Sequence, residues 1–199
     1  QFEADCEARG LLYLDAPISG GALKADAGAL SFMASGRPEA FAAAQPFLDV
    51  MAASVFNMGE RAGAGSVMKA VNQMLAGVHV AITSEAMAFG MAQGLPPDRV
   101  LEVVSQSAGT SWMFENRAPR LIEEDFVPAH ASLTIWPKDL SIIMGICQQL
   151  GLAAPITQAA LYRYQQAIDE GRAHEDDASL VKTYLAEAGL HRPDRKGSS

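Results

Sequence analysis

An apolar, proline-free stretch from Gly65 to Gln93 constrains the fold of this chain more than any other part of its 199 residues. Its apolar side chains recur with so little polar interruption that almost no polar helix face is left. A helix of this kind is normally buried, and at about 1.5 Å per residue it would be roughly 40 Å long. We therefore expect a buried helix that forms the spine of the fold. Because His79, Ser84 and Glu85 interrupt the stretch, we do not interpret it as a membrane span.

One lysine and two amides lie near the start of this apolar stretch. Lys69, Asn72 and Gln73 are three and four positions apart, so a helix places them on one face. Partial burial favours the neutral form of an amine, which would let Lys69 exchange a proton with a substrate hydroxyl near neutral pH. Lys69 is therefore a candidate general acid and base. On spacing alone, the more common situation is a lysine that extends its amine into water at a solvated edge.

A second motif follows an apolar segment near the beginning of the chain. Residues 11–15 predict a short buried strand, and the tight loop after it contains Ser19, Gly20 and Gly21. Two consecutive glycines let backbone N–H groups approach a ligand closely, and Ser19 adds a hydroxyl donor, so the loop could bind a carboxylate. Most triplets of this kind are ordinary turns. The triplet is informative only together with the lysine downstream.

The two motifs in combination resemble those of a known enzyme family. Residues 15–21 read Asp-Ala-Pro-Ile-Ser-Gly-Gly, and residues 63–72 follow the pattern Gly-x-Gly-x-x-x-Lys-x-x-Asn. This arrangement resembles the β-hydroxyacid dehydrogenases, the family of the 3-hydroxyisobutyrate and tartronate semialdehyde enzymes, and the resemblance extends over residues 11–190. It implies an oxidoreductase that transfers a hydride between NAD or NADP and a small 3-hydroxy acid or aldonate.

The resemblance also implies roles for individual residues. Ser19, Gly20 and Gly21 would hold the substrate carboxylate. Lys69 would relay the hydroxyl proton during hydride transfer, and Asn72 would orient the lysine or the substrate.

Three further positions are assigned by the same resemblance. Gln73 stands where many members of the family carry a second asparagine, and it would contact the substrate with a longer side chain. Lys138 would reach the cofactor, and Asp139 would lie beside the substrate pocket. Taken alone, these last two residues are more typical of a solvated helix start. Pro137 suits the first turn of a helix, so we expect a helix to begin there.

Two other segments resemble one branch of this family. Residues 111–117 read Ser-Trp-Met-Phe-Glu-Asn-Arg and residues 175–178 read Glu-Asp-Asp-Ala, which is similar to the branch that acts on L-threonate. The aromatic cluster at residues 112–114 could line a substrate pocket, although such clusters are more often core packing.

The glycine-rich fingerprint that binds a dinucleotide is missing from this sequence. That fingerprint reads Gly-x-Gly-x-x-Gly after a first strand, and residues 63–68 lack its third glycine. The sequence also begins without methionine, so we expect a truncated polypeptide that is inactive by itself.

The predicted fold class is mainly α. The resemblance implies an all-helical C-terminal domain of the 6-phosphogluconate dehydrogenase-like type, preceded by the last α/β units of a Rossmann domain. The predicted boundaries are 1–62 for the remnant of the dinucleotide-binding domain, 63–190 for the helical substrate, catalytic and dimerisation domain, and 191–199 for a disordered tail.

Local patterns predict the separate elements of these domains. The chain should open on the tail of a helix that ends at Gly10, and every periodic segment after Gly63 reads as a helix. Strands are expected at 11–15, 29–35 and 53–57, and helices at 38–51, 99–107, 112–123 with Ser111 as cap, 137–151, 155–171 and 178–188.

Charge and composition argue against several classes of partner. The net charge of −8 disfavours nucleic acid and anionic membrane, because both need clustered Lys and Arg. The four histidines and two cysteines have no metal-ligand spacing, so we predict no metal site. We interpret Cys6 and Cys147 as reduced thiols and expect a cytoplasmic protein.

Two classes of function remain open. The favoured one is the NAD-dependent dehydrogenase, acting as a homodimer or higher homo-oligomer. The alternative is a non-catalytic helical dimerisation or scaffold module derived from such an enzyme, which the missing fingerprint supports. Small residues along the apolar stretch would let it pack against a partner subunit in either case. An imine reductase fits less well, because members of that kind generally replace the catalytic lysine, which is present here.

Overall fold

A computed structural model describes residues 2–190, so the predicted tail at 191–199 lies outside the described residues. The chain divides into two compact units, which meet in the sequence between Gln73 and Met74. The first unit contains a small sheet with helices, and the second unit is helical. The predominance of helix after residue 63 is therefore confirmed.

The first unit is built on a three-stranded sheet. Its strands are β1 (Ile18–Ser19), β2 (Leu30–Ala34) and β3 (Ala52–Asn57), with β2 in the centre. β1 pairs antiparallel to β2, whereas β3 pairs parallel to it. The helices are α1 (Phe2–Glu7), α2 (Gly21–Asp26), α3 (Pro38–Met51) and the start of α4 (Ala64–Ala92).

The helix α3 makes the crossover between the two parallel strands. Pro38 occupies its first turn, where a missing N–H costs nothing, and the chain passes directly from Met51 into β3. Leu30 and Phe32 of β2 pack against Leu48 of α3, and these three residues form a buried cluster. The predictions of β2, β3 and α3 are confirmed, with ends that differ by at most one residue.

The predicted buried strand at residues 11–15 was wrong. Only Asp15 pairs, in an isolated antiparallel bridge with Ser35, and Leu11 and Leu12 are exposed. The physical reason is a competing hydrogen bond, because the Leu11 N–H donates to the Cys6 carbonyl at 2.9 Å. Gly10, with φ of 69°, makes the left-handed turn that ends α1, as predicted, and residue 11 completes that helix end.

The long helix predicted from residue 65 is confirmed as α4. Its burial was predicted wrongly, because one side of the helix is exposed. Val80 and Met87 are fully buried, but the large apolar residues on the other side are 43–68% exposed: Val67, Met68, Val71, Leu75, Ile82 and Phe89. By length and composition α4 could cross a membrane, and 44% of its most apolar window is buried; the core helices of globular proteins can have the same length and composition.

The second unit continues with five further α-helices among its described residues. They are α5 (Pro97–Ser105), α6 (Trp112–Glu123), α7 (Ile135–Leu150), α8 (Pro155–Ala167) and α9 (Val181–Glu187). A π-helical turn follows α8 at Ile168–Arg172, and a 3₁₀ turn precedes α9 at Asp177–Leu180.

The helix ends show which local signals were sufficient. The Ser111 hydroxyl accepts from the Phe114 N–H at 3.0 Å and caps α6, as predicted. Gly151, with φ of 66°, ends α7 as predicted. The predicted start of α7 at Pro137 was wrong, because the helix begins two residues earlier and simply tolerates proline in its first turn.

The centre of the second unit is an aromatic cluster around a glycine. The Trp136 ring lies over the Tyr164 ring at 5.9 Å, and the Tyr164 hydroxyl donates to the Gly77 carbonyl at 2.7 Å. A Cβ atom at Gly77 would lie 3.0 Å from side-chain atoms of both Trp136 and Leu140. The glycine therefore lets α7 and α8 pack closely on α4.

Candidate active site

The structure places six of the eight predicted site residues in the first unit. The triplet Ser19, Gly20 and Gly21 lies at the junction of β1 and α2, and Lys69, Asn72 and Gln73 lie on α4 before residue 74. The remaining pair, Lys138 and Asp139, lies in the first turns of α7 in the second unit.

The three polar residues of α4 share one half-buried face. Lys69, Asn72 and Gln73 are each intermediate in exposure, unlike their exposed neighbours Met68 and Val71. The Asn72 side-chain amide donates to the Gln73 amide oxygen at 3.1 Å. This bond orients the two amides relative to each other, so the longer glutamine side chain influences where the Asn72 amide points. The Lys69 side chain is therefore partly buried and does not lie at a fully solvated edge.

The Ser-Gly-Gly triplet forms a tight junction. Ser19 is half-buried and pairs with Ser31 in the sheet, and Gly21 already begins α2. Gly20 has φ of 142°, and a Cβ atom there would lie 2.8 Å from the Lys24 Cβ. A side chain at residue 20 would therefore be strained and would collide with the next helical turn. The exposed backbone of Gly20 and Gly21 can be approached closely by a ligand.

Sequence reasoning missed the role of the aspartate that opens the first motif. The Asp15 Oδ2 atom accepts from the Gly63 N–H at 2.9 Å, from the Ser66 N–H at 2.8 Å and from the Ser35 hydroxyl at 3.1 Å. Its Oδ1 atom accepts from the Ser66 hydroxyl at 2.6 Å. The Gly65 N–H donates to the Ser35 hydroxyl at 3.0 Å. We call these five residues the Asp15 cluster.

The Asp15 cluster satisfies the N–H groups of Gly65 and Ser66 in the first turn of α4, which have no partner within the helix, and that of Gly63 just before it. Burial raises the pKa of Asp15, but the hydrogen bonds from Ser66, Gly63 and Ser35 together outweigh that effect and hold the pKa below its usual value. Asp15 is thus an ionised, nearly buried acceptor that joins the segment before β1 to the start of α4.

The second glycine of the Gly-x-Gly-x-x-x-Lys-x-x-Asn pattern, Gly65, is required by close backbone packing. A Cβ atom at Gly65 would lie 2.2 Å from the Met33 carbonyl oxygen and 2.9 Å from the Asp15 carbonyl oxygen. Both are backbone atoms, so neither can rotate away. The start of α4 therefore lies in direct contact with the backbone of β2 and of residue 15, which only glycine allows.

The two predicted site residues of α7 form an ion pair. The Lys138 amine lies 3.1 Å from the Asp139 carboxylate, and the side chains are 68% and 16% exposed. Lys138 therefore carries an accessible cation at the surface of the second unit, while Asp139 is mostly buried.

A buried network that sequence reasoning also missed fixes the first turn of α7. The Trp136 indole N–H donates to the Asp177 carboxylate at 2.8 Å, and Arg117 donates to the two oxygens of that carboxylate at 2.6 and 3.1 Å. Asp177 is fully buried, and this burial raises its pKa despite the nearby guanidinium of Arg117. Trp136 is two residues before Lys138, so Asp177 helps to place the segment that carries the exposed amine.

The neighbouring carboxylate closes the loop before α7. The Asp176 Oδ2 atom accepts from Arg120 and from the N–H groups of His130 and Ala131, each at 3.0 Å. Its Oδ1 atom accepts from the Ala178 N–H and caps the 3₁₀ turn before α9. Burial raises the pKa of Asp176, but the hydrogen bonds it accepts and the charge of Arg120 together lower the pKa by more. The pKa of Asp176 is therefore below its usual value.

The remaining candidate residues lie in both units. Trp112 is 65% exposed and so is not core packing, whereas Phe114 is buried. Cys6 in the first unit and Cys147 in the second are both free thiols. Within residues 2–190, no three His, Cys, Asp or Glu side chains are grouped closely enough to hold a metal ion.

Models of two protein families match the chain. Residues 63–184 match the family described as NAD-binding of NADP-dependent 3-hydroxyisobutyrate dehydrogenase, and residues 1–59 match the NAD binding domain of 6-phosphogluconate dehydrogenase. The predicted fold class is therefore confirmed.

Individual relatives agree with these models. The chain is 41% identical over 176 residues to an L-threonate dehydrogenase of Cupriavidus necator, covering 88% of this chain and 59% of that protein. It is 42% identical over 189 residues to an L-threonate dehydrogenase of Haemophilus influenzae, covering 95% and 61%. The chain thus spans about three fifths of the length of these curated relatives.

A solved structure supports the same assignment. The crystal structure of a 3-hydroxyisobutyrate dehydrogenase from Salmonella typhimurium superposes with a TM-score of 0.85 at 38% identity, covering 92% of this chain and 64% of that one. The two family models together cover nearly the whole described chain, and they include both sequence motifs. The chain belongs to the β-hydroxyacid dehydrogenase family.

Proposed function

We propose that this chain is the substrate-binding and catalytic part of an oxidoreductase that transfers a hydride between NAD or NADP and a small 3-hydroxy acid or aldonate such as L-threonate. The observation that carries the proposal is the half-buried Lys69 on α4, in the same compact unit as the Ser19, Gly20 and Gly21 triplet. Because the relatives are matched over only three fifths of their length, activity, substrate and cofactor all belong to this proposal.

The proposed chemistry gives each residue one task. The Ser19 hydroxyl and the N–H groups of Gly20 and Gly21 bind the substrate carboxylate. The Lys69 amine accepts the proton of the substrate hydroxyl as the C–H hydride leaves, and a carbonyl group forms. Asn72, oriented by its bond to Gln73, hydrogen-bonds the lysine or the substrate.

A nicotinamide cofactor would supply the hydride acceptor when bound. The exposed amine of Lys138 fits a role in holding such an anionic molecule, since it is accessible and lies at the start of α7. Asp139, mostly buried beside it, orients that amine through the ion pair and would border the substrate pocket.

L-threonate is the substrate we propose to test first. Its support is the identity of 41–42% to two L-threonate dehydrogenases. A 3-hydroxyisobutyrate dehydrogenase of Pseudomonas aeruginosa is less similar, at 35% identity.

The domain boundaries and the assembly are part of the same proposal. A boundary near residue 62 is supported by family matches that end at residue 59 and resume at residue 63. A homodimer or higher homo-oligomer is supported by Leu75, Ile82 and Phe89, which are exposed at seven-residue spacing along α4. A cytoplasmic location agrees with two free cysteines.

The deciding experiment replaces the proposed proton carrier. Lys69→Ala is made in the longest reading frame that contains this chain, and oxidation of L-threonate, 3-hydroxyisobutyrate and glycerate is measured with NAD and with NADP. We expect the kcat of the best substrate to fall by about 10²–10⁴-fold, the usual contribution of a general acid or base. Lys182→Ala is the matched control, because Lys182 pairs with Glu175 in the second unit.

Two results would contradict the proposal. Near wild-type turnover of Lys69→Ala would remove this residue from the mechanism. Failure of the unmodified protein to oxidise any of the three acids with either cofactor, while it remains folded, would favour the scaffold alternative instead.

A further inference from the structure

The geometry points to Asp15 as a positioning residue that sets the placement of Lys69 relative to Ser19; this inference rests on the proposed function. Asp15 acts through the Asp15 cluster, which joins the segment leading to Ser19 with the helix turn before Lys69.

The first step of the argument concerns the segment that leads to Ser19. The Asp15 N–H donates to the Ser35 carbonyl at 3.0 Å, and the Ser35 N–H donates back to the Asp15 carbonyl at 2.8 Å. The Met33 N–H donates to the Pro17 carbonyl at 2.9 Å, and Ser19 pairs with Ser31. Residues 15–19 are therefore held against β2 along their whole length, so Asp15 and Ser19 cannot shift independently.

The second step concerns the helix that carries Lys69. The Asp15 carboxylate accepts both the backbone N–H and the hydroxyl of Ser66, at 2.8 and 2.6 Å. Ser66 and Lys69 are three positions apart on α4, so they are neighbours on one helix face. Displacement of the Ser66 turn would therefore displace Lys69 with it.

The third step is the closeness of the contact. All four groups that Asp15 accepts from are N–H or O–H donors, and the carboxylate is buried. Gly65, inside the same turn, has no room even for a methyl group against the Met33 carbonyl. An alanine at position 15 would leave the N–H groups of Gly63 and Ser66 without this acceptor, so the first turn of α4 would have to move to find other partners. Active sites commonly lose about 10²-fold in rate when a reacting group is misplaced by about 1 Å.

The test compares three variants in the longest reading frame that contains this chain. Asp15→Ala removes the acceptor, Ser66→Ala removes one donor, and Ser66→Thr keeps the hydroxyl at an exposed position. Asp49→Ala is the matched control, since Asp49 is an exposed aspartate of α3 in the same unit.

We expect kcat for Asp15→Ala to fall by about 10²-fold with an unchanged KM for the cofactor. We expect Ser66→Ala to lose less and Ser66→Thr to retain nearly all of the kcat. A smaller active fraction would also lower the apparent kcat at an unchanged KM, so each kcat is expressed per folded molecule, counted by the stoichiometry of cofactor binding. Asp15→Ala with the kcat of Asp49→Ala would overturn the inference.

A measurement independent of activity keeps this inference separate from the proposed function. In crystal structures, we expect the distance between Ser19 Oγ and Lys69 Nζ to differ between Asp15→Ala and the unmodified protein by more than about 0.5 Å, the tolerance of a working site. An unchanged distance would refute the positioning role even if the enzyme is active. A changed distance in a protein that oxidises no hydroxy acid would leave Asp15 as the positioning residue and reject only the dehydrogenase.

Discussion

Each unit of the molecule uses a buried aspartate to hold the start of a helix, but the two aspartates accept hydrogen bonds from different kinds of donor. The hydrogen bonds to the Asp15 carboxylate in the first unit come from neutral N–H and O–H groups, and the pKa of Asp15 is lowered. Asp177 in the second unit faces the guanidinium of Arg117 and the indole of Trp136, and its pKa is raised by burial. A carboxylate can thus be buried with several weak donors or with one strong countercharge.

These two arrangements predict which substitutions should destabilise each unit most. Removal of one neutral donor from Asp15 leaves the others in place, so the loss should be partial. Removal of Arg117 leaves Asp177 without its charge partner, although the Trp136 N–H remains. The ionic arrangement therefore concentrates its stabilisation in one side chain, whereas the neutral arrangement distributes it.

The largest effect should come from Arg117→Ala. An uncompensated buried charge typically costs about 3–5 kcal/mol in the free energy of unfolding. Both tryptophans of the chain, Trp112 and Trp136, lie in the second unit, so tryptophan fluorescence in urea reports on that unit alone. The control is Arg99→Ala, which removes an exposed pair with Glu102 and should cost at most about 1 kcal/mol. Equal effects of the two variants would contradict the ionic role of Arg117.

A second large effect is expected from Gly65→Ala in the first unit. The new methyl group would meet the Met33 and Asp15 carbonyl oxygens, which cannot rotate away, so we expect a loss of about 3 kcal/mol, the upper range for overpacking. Amide hydrogen exchange of residues 63–66 would measure it as faster exchange in the first turn of α4. Unchanged protection of these amides would show that the helix start tolerates a shift.

A moderate effect is expected in the pH dependence of stability, because the pKa shifts of Asp15 and Asp177 have opposite directions. Because the folded pKa of Asp15 is lowered, its stabilisation is present above the unfolded pKa of about 3.9 and is lost as the pH falls through the folded value. Because the folded pKa of Asp177 is raised, its contribution is complete below the unfolded pKa and is lost as the pH rises through the folded value.

The corresponding variants should therefore change the acid limb of stability in opposite directions. Asp15→Asn should make the loss of stability between about pH 5 and pH 2 shallower, and Asp177→Asn should make it steeper, by about 1.4 kcal/mol for each unit of pKa shift removed. Tryptophan fluorescence in urea follows the second unit, and amide hydrogen exchange of residues 30–34 follows the first. Parallel changes in both variants would refute the assigned directions.

The smallest effect is expected from Gly77→Ala. Its methyl group would meet only side-chain atoms of Trp136 and Leu140 at 3.0 Å, which can move by a few tenths of an ångström. Alanine also favours the helix by about 1 kcal/mol, so the net change in unfolding free energy should stay within about 1 kcal/mol. A loss as large as that of Gly65→Ala would show that the aromatic cluster is as rigid as the backbone contact.

The sequence was sufficient for elements governed by local patterns. The strand signals at β2 and β3, the proline at the start of α3 and the Ser111 cap are each read from neighbouring residues, and the structure agrees. The common face of Lys69, Asn72 and Gln73 followed from helical spacing alone. The strand predicted at residues 11–15 failed because a local hydrogen bond at a helix end, from the Leu11 N–H to the Cys6 carbonyl, competes with the strand pattern. The roles of Asp15 and Asp177 were missed because their partners lie between 20 and 60 residues away, where no local pattern identifies them.

The length of sequence that separates the members of the Asp15 cluster has a consequence for folding order. The contact of Asp15 with Ser66 closes a span of 51 residues, and that with Gly63 a span of 48. A helix as long as α4 can form early from local contacts, but its first turn cannot gain these partners until β2 is paired. We expect Ser66→Ala to accelerate unfolding with little change in the folding rate, which corresponds to a φ-value near zero. The turn that precedes Lys69 would then be among the last parts of the first unit to order.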